Sequence, residues 1–483
     1  MVIDVRLPGG SERGVTESVA AVAAVMRAAA EGRLDPTRTR VTGDWIQYRN
    51  NFRTPVAVRP IVDGRANVGQ ELAVDLRRVD ADAFDAQLAA ELATHEAQDD
   101  HAVYLEPWVP LSRSCIWRFN ALYWQELAIW EEAAGRGYAQ ALPGGESGGT
   151  SAQASRQVIE ELFAIWDNLV ARQSLPDQLT VLELGVGNGE QAKVWLDEFQ
   201  RLDGERGSGY YRRLQYLMGD YSTHVLSRAR ATVADHKSRV STLVLDAARP
   251  TDTLRFLESK IFFVFVSNVY DNLPTDEVVV LDDNFYQVET RAYLPAADAA
   301  RIAKGLGVEP RQVGELASRL LRLAPGLLAE SMPDIFPSEG AATTFWQDAW
   351  AVLRLAERYV PLGPLDLYEV FEGTTGEVFA PLVDGHGDVR FHVSNGALAS
   401  FVDTLPLLHP LGALTCHDLF VTDLSQYRSG FKGPGKYDGS VVNWVNGPVL
   451  KAIAARRGFH VEFSPFAEQS RSPVLTATAR ARD

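Results

Sequence analysis

At 483 residues the chain is long enough for a large core and two or three domains, and its 46% hydrophobic, 23% charged composition is that of an ordinary globular protein. Its 47 basic and 63 acidic residues give a formal charge of −16, which argues against a phosphate-backbone partner, so no nucleic acid is expected. Cys115 and Cys416 have no metal-ligand spacing and suggest a reducing, cytoplasmic setting. No run approaches the roughly 18 apolar residues of a membrane span, so no membrane partner is expected.

Residues 1–150 read as a mixed, largely helical accessory region. The Ala/Val run at 18–30 contains Arg27 and reads as an amphipathic helix instead of a signal peptide. TPVAVRP is a short strand-like piece. Trp108, Trp117, Tyr123, Trp124 and Trp130, partly spaced by six or seven, suit one helix face, either as core or as a wall of an acceptor pocket. LPGGESGGTSAQAS at 142–155 reads as a linker.

From 151 to 282 strands and helices alternate. RQVIEELFAIWDNLVARQ is a helix, LTVLEL a buried strand, and LQYLMGD, STLVLD and IFFVFVSN are apolar runs ending in small or acidic polar residues. Helices fall at 190–200, 222–235 and 251–259. This is the pattern of parallel strands covered on both faces, with functional residues at their carboxyl ends. Residues 283–385 interrupt it: ADAARIAKGLG, GELASRLLRLAPGLLA and TTFWQDAWAVLRLAERY read as helices, and VFAPLVDGHGDVRFHV as a β-hairpin. The alternation resumes over 386–483 with a helix at 396–405, the strand GALTCHDL, a helix at 446–457, and a strand pair at FHVEFSPF and VLTATA. The interruption reads as an insertion between the fourth and fifth strands, with 283–360 expected as a lid over the ligand side.

VLELGVGNGE places Gly185, Gly187 and Gly189 between a strand and a helix, where a sharp turn and close ligand approach exclude a Cβ. The dinucleotide fingerprint G-x-G-x-x-G needs a small residue at 190, where Glu190 stands. Glu183, inside the strand, suits the cationic methionine end of S-adenosyl-L-methionine instead. Asp220 ends the second strand, placed to accept from both ribose hydroxyls, with Tyr221 beside it. Asp246 ends the third strand, suited to an adenine amino group, with Ala247 adjacent. These residues, with Asn268, form the expected cofactor site. No metal is expected.

The same segments resemble the MidA-type methyltransferases, bacterial relatives of the mitochondrial protein arginine methyltransferase that assists complex I assembly. ASRQVIEELFAIW, VLELGVGNGE, YYRRLQYLMGDYS, SNVYDNLPTDEVV, VDGHGDVRF, GALTCHDLF and YDGSVVNWVNGPVLKAIAARRGF follow that family's order over roughly 151–465. The resemblance implies a class I methyltransferase fold: an α/β, Rossmann-like, seven-stranded and mostly parallel sheet. It carries over Glu183, Gly185, Gly187, Asp220, Asn268 and Asp271. Two positions depart. The family's turn proline is Val186, and the Glu of its A-N-E segment is Val269, so arginine methylation is not carried over.

The acceptor is expected beside Ser267-Asn268-Val269-Tyr270-Asp271, after the fourth strand. That segment lacks both prolines of the S/N/D-P-P-Y/F motif of nucleic-acid amino methyltransferases. Tyr270 suits acceptor contact; Asp271 suits an acid or base, or a cap of the turn closed by Pro274. His417, at the end of the fifth strand, suits a base or a structural role. The expected activity is methyl transfer to a small-molecule or peptide-like oxygen or nitrogen acceptor, by a chain able to form a homodimer. Alternatives are a non-catalytic S-adenosylmethionine-binding assembly factor or scaffold, a protein arginine methyltransferase, and an NAD-dependent oxidoreductase.

Overall fold

Short apolar runs alternating with amphipathic helices build one sheet from the second third of the chain and its C-terminal part. The computed structural model describes residues 1–7, 14–46, 48, 50–64, 66–96, 102–137, 152–428, 433–465 and 474–482. The expected linker lies outside the described residues from 142 to 151. The chain divides into two units. One comprises Trp124–Leu273, Gly396–Phe420 and Gly447–Asp483, the other Met1–Tyr123, Pro274–Asn395 and Val421–Asn446.

In the first unit the strands are β1 (Leu179–Leu184), β2 (Leu214–Asp220), β3 (Val240–Val244), β4 (Ile261–Ser267), β5 (Leu408–Val421), β6 (Phe459–Pro465) and β7 (Val474–Ala481). They lie side by side as β3-β2-β1-β4-β5-β7-β6. β1 to β5 run parallel, and β7 is antiparallel to both β5 and β6. The mostly parallel α/β sheet expected for the class I methyltransferase fold is therefore present. β1 is buried along its whole length, as a strand covered on both faces must be.

Helices α1 (Ala152–Ala171), α2 (Glu190–Arg206) and α3 (Thr223–Thr232) belong to this unit. Ile159, Leu162, Phe163, Trp166 and Leu169 repeat at helical spacing and bury one face of α1. Trp166 meets Phe262 of β4 edge-on at 5.8 Å, and Phe163 meets Phe199 of α2 at 5.1 Å. Such aromatic pairs contribute about 0.5–1.5 kcal/mol each beyond area burial.

The second unit joins segments that are distant in sequence. Its sheet runs Val2–Arg6, Thr39–Asp44, Ala66–Asp75, Val56–Asp63, Arg354–Pro361, Asn284–Pro295, Glu277–Leu281, Val389–His392, with Ala102–Tyr104 and Val109–Pro110 also pairing to Asn284–Pro295. The N-terminal region is thus a sheet with helices, where the sequence suggested a largely helical piece. It also shares that sheet with the expected insertion. A buried ionic network ties the two together. Arg59 meets Glu71 at 2.8 Å, Arg53 meets Glu357 at 3.1 Å, and Arg390 meets Glu357 at 2.9 Å and also pairs with Glu277.

Two local expectations are corrected. TTFWQDAWAVLRLAERY is not one helix: the helix ends at Val352, and Arg354–Pro361 is a strand burying Leu355, Glu357 and Tyr359 on alternate positions. VFAPLVDGHGDVRFHV is not a hairpin. Ala380–Val383 is a helical turn, and Val389–His392 pairs with Glu277–Leu281. Pro381 stands at the start of that turn, where its missing N–H costs nothing, whereas a strand ladder would need the donor. Among the described residues no helix is long and apolar enough to cross a membrane.

Candidate functional site

β1 ends at Leu184 and the chain turns through Gly185, Gly187 and Gly189, with φ of 74°, 57° and 80°. These are left-handed values that side-chain-bearing residues avoid. Space matters as much as angle. A Cβ on Gly185 would lie 2.4 Å from Cγ2 of Val269, and one on Gly189 2.8 Å from the Cα of Ala229. The turn is fixed by Gly185 and Val186 N–H groups donating to the Gly219 carbonyl at 2.8 and 3.2 Å. α2 then begins on Gly189 without a side-chain cap, so its positive end suits an anionic group.

Two carboxylates flank this turn. Glu183 is 2% exposed and accepts from the Tyr216 hydroxyl at 2.7 Å. Burial pushes its carboxyl up to about 8, aided by the nearby Asp220 charge and opposed by the tyrosine hydrogen bond. Asp220 accepts from the N–H of Ser222 at 3.0 Å and, more weakly, of Gly187 at 3.4 Å. Burial raises it as well, against those hydrogen bonds. Among the described residues neither carboxylate is in a salt bridge. A buried carboxyl of this kind accommodates a cationic ligand group, which would restore its charge.

At the end of β3, Asp246 accepts from the N–H of Ala248 at 2.8 Å and the Ala247 carbonyl accepts from Ser400. Tyr221 is partly exposed beside Asp220. The expected cofactor residues thus gather along the carboxyl edge of β1, β2 and β3, and Asn268 lies at the end of β4.

Asn268 has φ of 51°, and its N–H donates to the His417 carbonyl at 2.9 Å. Tyr270–Asn272 forms a tight turn. Tyr270 is 2% exposed and supports the turn from the interior, so the acceptor contact expected of it would not come from an exposed side chain. Asp271 is also buried and accepts from the Asn272 amide at 2.6 Å. Burial and the Asp418 charge hold it well above the usual carboxylate range.

His417 lies between Thr476, whose hydroxyl is 2.8 Å from its Nδ1, and the ring of Phe265 at 5.2 Å. Burial pushes its imidazole down to about 4, so the ring is neutral at neutral pH. Next to it stands Asp418, which the sequence places with His417 on the fifth strand, on the ligand side of the sheet. Fully buried, it accepts from the N–H groups of Tyr270 at 2.8 Å, Asp271 at 3.3 Å and Leu419 at 2.7 Å. Its position after His417 on the fifth strand is legible in the sequence; its bonds to the Tyr270 and Asp271 N–H groups are not.

Residues 159–360 match a family model described as "Putative S-adenosyl-L-methionine-dependent methyltransferase". No curated protein matches the chain. Among solved structures it is similar to a COG1565 superfamily protein from Burkholderia thailandensis bound to S-adenosyl-homocysteine, at 14% identity, with 83% of this chain and 92% of that chain covered and a TM-score of 0.44. It is also similar to the magnesium protoporphyrin IX methyltransferase of Synechocystis PCC 6803, at 10% identity, with 75% and 97% covered and a TM-score of 0.29. Both likenesses are remote, and the assignment rests on the family match, which takes in the glycine turn, β2, β3 and β4. Over that segment, residues 159–360, the chain is similar to the S-adenosyl-L-methionine-dependent methyltransferases.

Proposed function

We propose that the chain transfers a methyl group from S-adenosyl-L-methionine to a small-molecule or peptide-like oxygen or nitrogen acceptor held beside the Asn268–Asp271 turn. The observation that carries this reading is Glu183, a buried carboxyl without a cationic partner among the described residues, next to a glycine turn that admits no Cβ. In the proposal Glu183 faces the cationic methionine end, and the open start of α2 faces its carboxylate. Asp220 accepts from the ribose hydroxyls, Tyr221, Asp246 and Ala247 border the adenine, and Asn268 contacts the amino group. Gly185, Gly187 and Gly189 let the backbone come close. The bound cofactor supplies an electrophilic methyl on a sulfonium.

The chain's own residues then have to align the acceptor and exclude water. For an alcohol or phenol acceptor, His417 is the base of this proposal: a neutral ring oriented by Thr476. Asp271 and Tyr270 shape the turn.

The test is calorimetry with S-adenosyl-L-methionine and S-adenosyl-homocysteine, followed by label transfer from the former to a panel of acceptors. Micromolar binding, about −8 kcal/mol, is expected. Saturable NADH binding with no heat from either sulfur compound would refute the reading. A second reading, a cofactor-binding assembly factor without turnover, draws support from Val269. It stands where the resembled family has Glu, and its methyl abuts Gly185. Tight binding without transfer to any acceptor would favour it.

A further inference from the structure

We propose that Asp418 is a positioning residue, clamping the Asn268–Asp271 turn so that Val269 seats against Gly185. This rests on the functional reading above and assigns the turn's geometry to a side chain on another strand.

Three hydrogen bonds join the turn after β4 to His417 and Asp418 of β5. The backbone of Asn268 donates to the His417 carbonyl at 2.9 Å, and the backbones of Tyr270 and Asp271 donate to the Asp418 carboxylate at 2.8 and 3.3 Å. One side chain therefore gathers consecutive N–H groups of a turn that has no side-chain cap of its own. Between these anchors lies Val269, whose Cγ2 occupies the space a Gly185 Cβ would need. Releasing the carboxylate would free the turn to rotate, and Val269 would leave the glycine turn. A displacement of about 1 Å is enough to cost on the order of 10²-fold in an alignment-limited reaction.

The clamp depends on charge. A carboxylate accepts from several N–H groups, whereas a protonated carboxyl loses much of that capacity. The groups facing Asp418 are the Asp271 carboxyl, the Tyr270 phenol and the Cys416 thiol; burial pushes all three up from their ordinary values. Asp271 and Asp418 cannot both ionise cheaply in such surroundings, so they hold one proton between them. The hydrogen bonds to backbone N–H groups place the negative charge on Asp418.

Three measurements test this on the whole chain. The first needs no activity: amide hydrogen exchange across 268–273 in Asp418→Ala and in wild type at one pH. Exchange faster by about tenfold or more is expected there, with the protection of β1 and β4 kept. Unchanged exchange in a folded variant would overturn the clamp, whatever the enzyme does.

The second is a comparison of Asp418→Asn with Asp418→Ala. The amide keeps one accepting oxygen, so Asn should recover part of the exchange protection and part of kcat. Cofactor Kd should stay within about threefold of wild type while Ala loses on the order of 10²-fold in kcat. Equal parallel losses of kcat and cofactor affinity, or no rescue by Asn, would contradict positioning.

The third is the pH profile. Wild-type kcat should fall as pH drops through about 6, when Asp418 takes up its proton, and this limb should be missing in Asp418→Asn. An identical limb in both proteins would assign it to another group and overturn the charge dependence. Failure of the cofactor to bind wild type at all would instead refute the functional reading, leaving the exchange result to decide the clamp.

Discussion

The hydroxyl of Tyr216 donates to Glu183 at 2.7 Å, inside a sheet that gives this carboxyl no cationic partner among the described residues. Burial raises it to about 8, so at pH 7 the free protein holds Glu183 mostly protonated. A cation bound against it favours the charged form and expels the proton. Binding of S-adenosyl-L-methionine at pH 7 should therefore release up to about one proton per site. The sign is fixed: affinity should rise with pH toward 8, by at most about tenfold per unit. Calorimetry in buffers of different ionisation enthalpy reads the proton directly. A binding enthalpy independent of buffer would show that Glu183 does not change its charge.

Asp220 tests the ribose placement. Asp220→Ala should weaken cofactor binding by about 1–3 kcal/mol through lost hydrogen bonds to a charged acceptor. The Ser222 and Gly187 N–H groups would also lose a partner, so Asp220→Asn is the cleaner comparison. Equal affinity in wild type and both variants would move the ribose elsewhere.

Gly185→Ala would place a Cβ 2.4 Å from Val269 at a φ of 74°. The left-handed conformation alone costs about 1–2 kcal/mol, and the contact adds to it. Cofactor affinity should fall more than tenfold, and Val269→Ala in the same chain should restore part of the loss but not all of it. Full restoration would mean that crowding alone, and not the backbone angle, requires glycine here.

The buried network of the second unit makes a stability prediction. Glu357 faces Arg53, Arg59 and Arg390, and removing its charge leaves buried guanidiniums uncompensated. Glu357→Gln should destabilise by about 3–5 kcal/mol, measurable by denaturant unfolding. Arg59, despite its burial, holds Glu71 down at about 2, and Arg390 likewise holds Glu277 at about 2. Depressed carboxylates stabilise above their unfolded value of 4.5, and that stabilisation is lost as pH falls from 4.5 toward 2. Acid unfolding should follow that window, and a flat stability curve through it would contradict the network's charge state.

The same network shows why the sequence disclosed one part of this protein better than the other. β1, the glycine turn and α2 are local: their period changes from strand to helix within ten residues, and three glycines mark the corner. Arg354–Pro361 has the alternation of a strand, but one inward position is Glu357, whose partners Arg53 and Arg59 lie some three hundred residues earlier. Without those partners a charged residue reads as surface, and the run passes for the end of a helix. The role of Asp418 was hidden for a related reason. Its partners are backbone N–H groups of another strand's turn, and these have no residue type to recognise.

His417 decides how the acceptor loses its proton. Its imidazole is buried, oriented by Thr476 and neutral above about 4, so it is a weak base but an available one across the physiological range. With an alcohol or phenol acceptor, His417→Ala should lower kcat by about 10²-fold or more while cofactor Kd stays nearly unchanged. Wild-type turnover should owe no loss to His417 until pH falls toward 4, well below the limb expected from Asp418 near 6. The two limbs can be separated by placing each substitution in turn and following kcat from pH 4 to 8. An amine acceptor delivered unprotonated needs no base, and then the His417 variant should retain its rate while Asp418→Ala does not. Near-normal turnover of His417→Ala with a hydroxyl acceptor would remove the imidazole from the mechanism and leave alignment by the clamped turn as the source of catalysis.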